Sequence, residues 1–315
     1  MKYSFIVPIY NDGYLAADFC RELERVFRKH LATDDLDGLV EVIFVNDGSR
    51  DDSFAILRDQ VCPEFSFARA VDLSRNFGQH VAITCGYRYA QGEVVGYLNV
   101  DMEDPPDQLP LLIDELRNGK FDFVGGIYVE RHVPFFNKLT SKLFARVLNL
   151  LTGYQLPINM ATVRVMNRKF IDVYNQLTEK SRYLPGIEAW MGFRRGWVPV
   201  KHRRRQRGGS SYNFKRRLLM ASESIISFSD LPLKMAVVLG TTVALLGFVM
   251  TLLLIIGKLF FVDYRAGYTT TVSVIVFMGG VQINVMGLAS LYIGRILREV
   301  QNRPLFIVRE TKNLP

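Results

Sequence analysis

Cysteine is scarce in this chain. Cys20, Cys62 and Cys85 are the only three in 315 residues, far apart and odd in number. That excludes a disulfide framework and a cysteine-built metal site, and it fits a reduced, cytosolic setting for the N-terminal domain. The glycines of a dinucleotide fold are missing too. The turn after the first expected strand reads Pro8-Ile9-Tyr10-Asn11-Asp12-Gly13, which is no GxGxxG fingerprint, and there is no Walker loop. The apolar run at Met1–Pro8 is too short for a signal peptide, so the chain is expected to start directly with a strand. Acids are absent from 194–217, and charge of either sign is absent from 235–257 and 269–294.

What is present has a clear order. Short apolar runs at Tyr3 to Ile9, Val40 to Val45, Phe67 to Leu73, Val94 to Leu98 and Phe121 to Ile127 read as buried strands. Between them lie the amphipathic run Leu15 to Leu31, a short helix Phe54 to Asp59, His80 to Gln91, and Leu109 to Asn118. Strands alternating with helices make βαβ units and a parallel sheet, whose right-handed crossovers set the post-strand loops along one edge. Asp12, Asp47, Asn76, Asp101 and Glu103 each fall just after a strand. The densest group is Asn99-Val100-Asp101-Met102-Glu103-Asp104, closed by Pro105-Pro106. Oxygen-bearing side chains at the end of an interior strand are costly unless something positive meets them. A divalent cation with a phosphate ligand is the first explanation; a solvated acidic loop is the bland one.

The second half changes character. Phe136 to Leu151 has helical spacing, and Asn159 to Met166 reads as a further strand. The run 194–217 carries ten lysines and arginines, in a chain of net charge +8, and precedes the first uncharged stretch. A charge run is usually a solvated face, but in this place it is expected to meet anionic headgroups. Phe214 to Phe228 is expected to lie at the interface as an amphipathic helix. Met235 to Gly257 is 23 residues long, roughly 34 Å as a helix, enough to cross a bilayer. Thr269 to Gly294 is the second expected span, and Gln282 and Asn284 among its small residues point to helix packing and self-association rather than transport. The basic run before the first span, and Arg295, Arg298, Arg303 and Arg309 after the second, place both termini on the cytoplasmic side. The expected division is 1–212 catalytic, 213–231 juxtamembrane, 232–297 spanning, and 298–315 a cytoplasmic tail.

Four segments in order, Val7-Pro8-Ile9-Tyr10-Asn11-Asp12, Val45-Asn46-Asp47-Gly48-Ser49, Leu73-Ser74-Arg75-Asn76-Phe77-Gly78 and Asn99 to Pro106, resemble glycosyltransferase family 2. The segment Arg205 to Tyr212, the two spans and the tail from Tyr292 to Pro304 extend the likeness to its polyprenyl-phosphate branch. The resemblance implies a GT-A fold, Rossmann-like with a mostly parallel sheet, and inverting transfer of one sugar from a UDP- or GDP-linked donor to a polyprenyl phosphate. It also implies Mg²⁺ or Mn²⁺ as cofactor and the inner membrane as location. By position it assigns Pro8, Tyr10, Asp12, Asp47, Asn76 and Asn99 to the nucleotide sugar, and Asp101 and Glu103 to the metal. Arg131, Ser141 and Arg205 are assigned to the acceptor phosphate, with Asp101, Arg131 and Arg205 carrying catalysis. The family's Asp-x-Asp is Asn99-x-Asp101 here, Glu103 stands where glutamine is common, and Tyr128 stands where arginine is frequent.

A lipid phosphate is already largely anionic at neutral pH and needs no general base to act as nucleophile. A saccharide or protein hydroxyl acceptor would need one, and Glu188 is the only tempting candidate. The processive-synthase motif Gln-x-x-Arg-Trp is not matched by Arg194-Arg195-Gly196-Trp197. A two-span scaffold would leave the strand-end acids without a purpose. Nucleic-acid binding would explain the basic run but neither spans nor acids, so no nucleic-acid partner is expected.

Overall fold

The computed structural model describes residues 1–128, 157, 159–180, 182–201 and 267–314, with scattered positions between 235 and 260. The chain divides into two compact units, Met1–Arg217 with Pro304–Pro315, and Leu218–Arg303. Of the expected tail at 298–315, Pro304–Pro315 cluster with the first unit.

That unit is built on one sheet. Its strands are β1 (Tyr3–Ile9), β2 (Val40–Asn46), β3 (Ala68–Leu73), β4 (Val94–Tyr97), β5 (Phe123–Tyr128), β6 (Met160–Asn167), β7 (Arg195–Val200) and β8 (Val308–Lys312), in the order β7-β5-β6-β4-β1-β2-β3-β8. The centre β4-β1-β2-β3 is wholly parallel, while β6 and β8 run antiparallel to their neighbours. Every residue of β2 and β4 is buried, as expected for strands covered on both faces. The central strand order 3-2-1-4 has its switch point between β1 and β4, and ligands bind outside the carboxyl ends of strands at such a point.

The first helix, α1 (Ala16–Leu31), buries Phe19, Leu23, Val26 and Phe27 on one stripe and stops where Ala32 turns left-handed. The next, α2 (Ser53–Ile56), continues through a π-helical turn at Leu57–Val61, so this helical stretch outlasts the expected end at Asp59. Helices α3 (Gln79–Tyr89) and α4 (Leu109–Asn118) fall where the spacing puts them. The helices α5 (Arg168–Gln176) and α6 (Leu184–Trp190) and the strands β7 and β8 were not foreseen. Both strands are sheet edges: β7 admits Pro199, and β8 carries Arg309, Glu310 and Lys312. The first part of the basic run thus includes an edge strand, with Arg194 and Lys201 exposed on either side of it.

In the second unit, α7 (Tyr268–Val300) encloses the second expected span, and Met278–Val300 is long and apolar enough to cross a membrane. It is the one such helix among the described residues. The expected interfacial helix, the helix at Phe136 to Leu151 and most of the first span lie outside the described residues, as do Arg131, Ser141 and Arg205.

Candidate active site

The four loops that leave β1, β2, β3 and β4 meet at the switch-point edge, and side chains tie each to the next. In the first loop Asn11 adopts φ 60°, a left-handed turn that asparagine tolerates. Its N–H donates to Ser49 Oγ at 2.9 Å, and its Oδ1 accepts from Arg50 N–H at 2.9 Å. Gly13 N–H donates to Ser53 Oγ at 3.0 Å. Loops one and two are thereby stitched together. Tyr10 stays exposed at the rim, with Pro8 and Asp12 half-buried beside it.

The second loop grips the third through Asp47. This carboxylate is buried, and it accepts Phe77 N–H at 2.7 Å and Gly78 N–H at 2.9 Å, one on each oxygen. Burial pushes its pKa up, against the pull of those two N–H groups and of Arg75. The residue assigned to the nucleoside is thus also the tie that shapes the Asn76–Gly78 loop. Gly48 shows how close the two loops run. A Cβ there would sit 2.2 Å from the Arg75 carbonyl carbon and 2.5 Å from Asn76 N, at a φ of +61°. Gly48→Ala is expected to cost about 2 kcal/mol or more in stability and to weaken nucleotide binding. Melting temperature and affinity for both UDP and GDP left at wild-type values would refute it.

The third loop reaches the fourth through Gln79, whose Nε2 donates to Asn99 Oδ1 at 2.9 Å. Beyond Asn99 the chain turns at Met102, φ 54°, with Glu103 N–H donating to Asp101 Oδ1 at 3.2 Å. Asp101 and Glu103 are half-buried on this turn. Asp104 is different. It is buried and accepts Thr162 N–H at 2.7 Å, Val163 N–H at 3.1 Å and the Tyr128 hydroxyl at 2.8 Å. Neutral donors meet that acid fully, so it anchors β6 to the turn and needs no cation. Tyr128 takes part in the same anchor.

Among the described residues no three His, Cys, Asp or Glu side chains cluster as a ready metal cage. The donor set at the end of β4 is two carboxylates and one amide, all hard oxygen ligands. That fits Mg²⁺ or Mn²⁺ held by one or two carboxylates and completed by substrate phosphate oxygens.

Behind β4 lies a buried ion pair that the sequence reading did not identify. Arg164 on β6 donates to Glu188 on α6 at 2.5 Å, both side chains almost wholly enclosed, with the guanidinium 4.8 Å from the Tyr97 ring centre. Glu188, the candidate base, is buried with Oε2 turned onto this arginine. His80 neighbours this pair, and burial and the Arg164 charge push it down to about 4, so it is neutral at physiological pH.

The loop-joining residues that sequence reasoning left unassigned are Gly48, Ser49 and Gln79, with Asp72 accepting Asn46 Nδ2 at 2.6 Å. Glycine and serine in Asn46-Asp47-Gly48-Ser49 were a visible turn signal. Nothing in the spacing marked Asp72, which sits inside β3.

The family model for glycosyl transferase family 2 matches residues 4–174. The chain is 32% identical over 314 residues to the uncharacterized glycosyltransferase YkcC of Bacillus subtilis (strain 168), covering 99% of this chain and 94% of that one. It is 31% identical over 316 residues to an undecaprenyl-phosphate 4-deoxy-4-formamido-L-arabinose transferase of Klebsiella pneumoniae (strain 342), covering 100% and 94%. Among solved structures it is similar to the glucosyl-3-phosphoglycerate synthase of Mycobacterium tuberculosis in complex with Mn²⁺, UDP and phosphoglyceric acid. That match has a TM-score of 0.50 and 18% identity over 71% of this chain and 76% of the other, which is a likeness of fold.

Proposed function

The chain belongs to glycosyl transferase family 2 and is a glycosyltransferase, and from that premise we propose that it transfers one sugar from a UDP- or GDP-linked donor to a polyprenyl phosphate, with inversion. The observation that carries this reading is the set of four linked loops at the switch point, with the Asp101–Glu103 turn after β4 and Tyr10 and Asp12 after its neighbour β1. The relatives named for undecaprenyl phosphate, matched over 93–94% of their length, support that lipid as acceptor.

In this reading Pro8, Tyr10, Asp12, Asp47 and Asn76 hold the nucleoside, while Asn99 orients the sugar end of the donor. Asp101 and Glu103 hold Mg²⁺ or Mn²⁺, which when bound stabilises the charge of the departing diphosphate. The acceptor phosphate oxygen forms the new bond at the anomeric carbon as the bond to the nucleoside diphosphate breaks. Arg131, Ser141 and Arg205 bring that phosphate into place against its like-charged partner. No protein base is required, which agrees with the inward-facing Glu188.

Two spans, 235–257 and 269–294, would hold the catalytic unit at the cytoplasmic face of the inner membrane. The run at 194–217 would rest on anionic lipid there. The small residues along the second span would favour a homo-oligomer.

The test is a panel of UDP- and GDP-sugars, offered with undecaprenyl phosphate and Mg²⁺ or Mn²⁺ to the full chain in detergent. The expected result is release of one nucleoside diphosphate with an organic-extractable glycosyl phosphate. Release that depends instead on a hydroxyl acceptor would overturn the reading.

A further inference from the structure

The C-terminal strand β8 brings an arginine to the rim of the donor loops. Its residue Arg309 reaches across β3, with Nη1 3.2 Å from Asp72 Oδ2 and Nη2 donating to the Ser74 carbonyl at 2.8 Å. Asp72 is 2% exposed at the carboxyl end of β3. Its other oxygen accepts Asn46 Nδ2 at 2.6 Å. Asn46 Oδ1 accepts the Ser49 hydroxyl at 2.5 Å, and Ser49 Oγ accepts Asn11 N–H at 2.9 Å. The chain of contacts runs unbroken from β8 to the loop that holds Tyr10 and Asp12.

The direction of every bond in this chain is forced. An ionised carboxylate only accepts, so the Asn46 amide must present its NH₂ group to Asp72. The Asn46 carbonyl oxygen then faces Ser49 and takes its single hydroxyl proton. That leaves a Ser49 lone pair for the backbone N–H of Asn11, the left-handed residue of the first loop. Losing the cation at one end therefore loosens the orientation of each group in turn.

We propose that Arg309 is a positioning residue for the donor nucleotide: from the C-terminal strand it fixes Asp72, and through Asn46 and Ser49 it sets the Tyr10–Asp12 loop. This rests on the reading that this loop takes the nucleoside.

A merely structural role for Arg309 makes different demands. The strand β8 keeps other ties to β3: Ser74 N–H to the Ile307 carbonyl at 2.9 Å, Arg69 Nη1 to the Asn313 carbonyl at 2.6 Å, and Asn313 Nδ2 to the Ala68 carbonyl at 3.0 Å. The Arg309 side chain is itself 61% exposed, so its truncation leaves no cavity at the sheet edge. Removing it leaves the strand paired while cutting the relay.

The experiment uses the full chain in detergent with the donor identified by the sugar panel, and measures donor KM, acceptor KM, kcat and UDP or GDP affinity. Arg309→Ala is expected to raise donor KM and weaken nucleotide binding about tenfold, as for loss of a hydrogen bond to a charged group. Acceptor KM, kcat and melting temperature should stay near wild type. Arg309→Lys should recover part of the loss. Asp72→Asn should show the same signature, and the double variant no more than the larger single effect, because the two act through one contact. Ser49→Ala cuts the relay at its far end without touching β8 and should raise donor KM alike. A donor KM within twofold of wild type in Arg309→Ala overturns the proposal, as does an equal rise in acceptor KM or additivity with Asp72→Asn. A wild-type chain that binds neither nucleotide and turns over no nucleotide sugar defeats the donor reading itself, a failure distinct from an active wild type with an indifferent Arg309.

Discussion

Asp101→Ala is expected to lower sugar transfer about a thousandfold, within the range lost when a preorganised electrostatic contact to developing charge is removed. The reason is the thin acid supply at the end of β4. Asn99 is neutral, and Asp104 is committed to Thr162, Val163 and Tyr128. In the proposed reading Asp101 and Glu103 then supply the carboxylates for the cation. Asp101 Oδ1 also receives Glu103 N–H, so alanine removes a charge and loosens a turn together. Asp101→Asn separates the two, since the amide oxygen still accepts that bond. Both variants should lose activity to a similar depth, and nucleotide affinity should cease to respond to Mn²⁺ titration. Glu103→Gln should cost less, about ten- to fiftyfold, because one carboxylate remains and substrate oxygens fill most of the coordination shell. More than a tenth of wild-type activity in Asp101→Asn would remove the metal from this turn.

The sheet's centre was legible because β1 to β4 are short apolar runs rich in β-branched residues and separated by turn residues, and their length sets them apart from buried helix segments. Asp12, Asp47, Asn76 and Asp101 were legible as a group because topology alone puts post-strand loops on one edge. Their individual duties were not. Asp47 and Asp104 look alike in sequence to Asp101, yet both accept backbone N–H groups from loops or strands distant in the chain. Such partners leave no periodic trace. The edge strands β7 and β8 hid for another reason. Edges carry charge and proline to resist pairing with other chains, so Arg195-Gly196-Trp197-Val198-Pro199-Val200 and Val308-Arg309-Glu310-Thr311-Lys312 look like loops. Asp72 and Arg309, 237 positions apart, meet only because β8 closes the sheet beside β3.

The buried pair Arg164–Glu188 is expected to carry a large stability effect among the described residues. Arg164→Leu is expected to cost about 3–5 kcal/mol, the usual loss when one partner of a buried pair is left unpaired. Burial opposes the Arg164 charge, but Glu188 and the neighbouring Tyr97 and Tyr87 outweigh it and hold that charge above the ordinary arginine range. Burial likewise raises Glu188, with Arg164 opposing. A carboxyl raised in the folded state favours folding below its unfolded value of 4.5, and that contribution fades as pH rises through the folded value. Arg164→Leu should therefore melt lowest at neutral and alkaline pH, where Glu188 is stranded as an anion, and recover toward pH 5. The double variant Arg164→Leu, Glu188→Leu should be more stable than Arg164→Leu alone, because no uncompensated charge is left. Thermal melting of the full chain in detergent across that pH range reads both effects. Glu188→Gln then divides the two acceptor classes. With a polyprenyl phosphate as nucleophile, this variant should melt lower yet keep kcat within a few-fold of wild type while folded. A thousandfold fall in kcat at an unchanged melting temperature would instead make Glu188 a base and return a hydroxyl acceptor to first place.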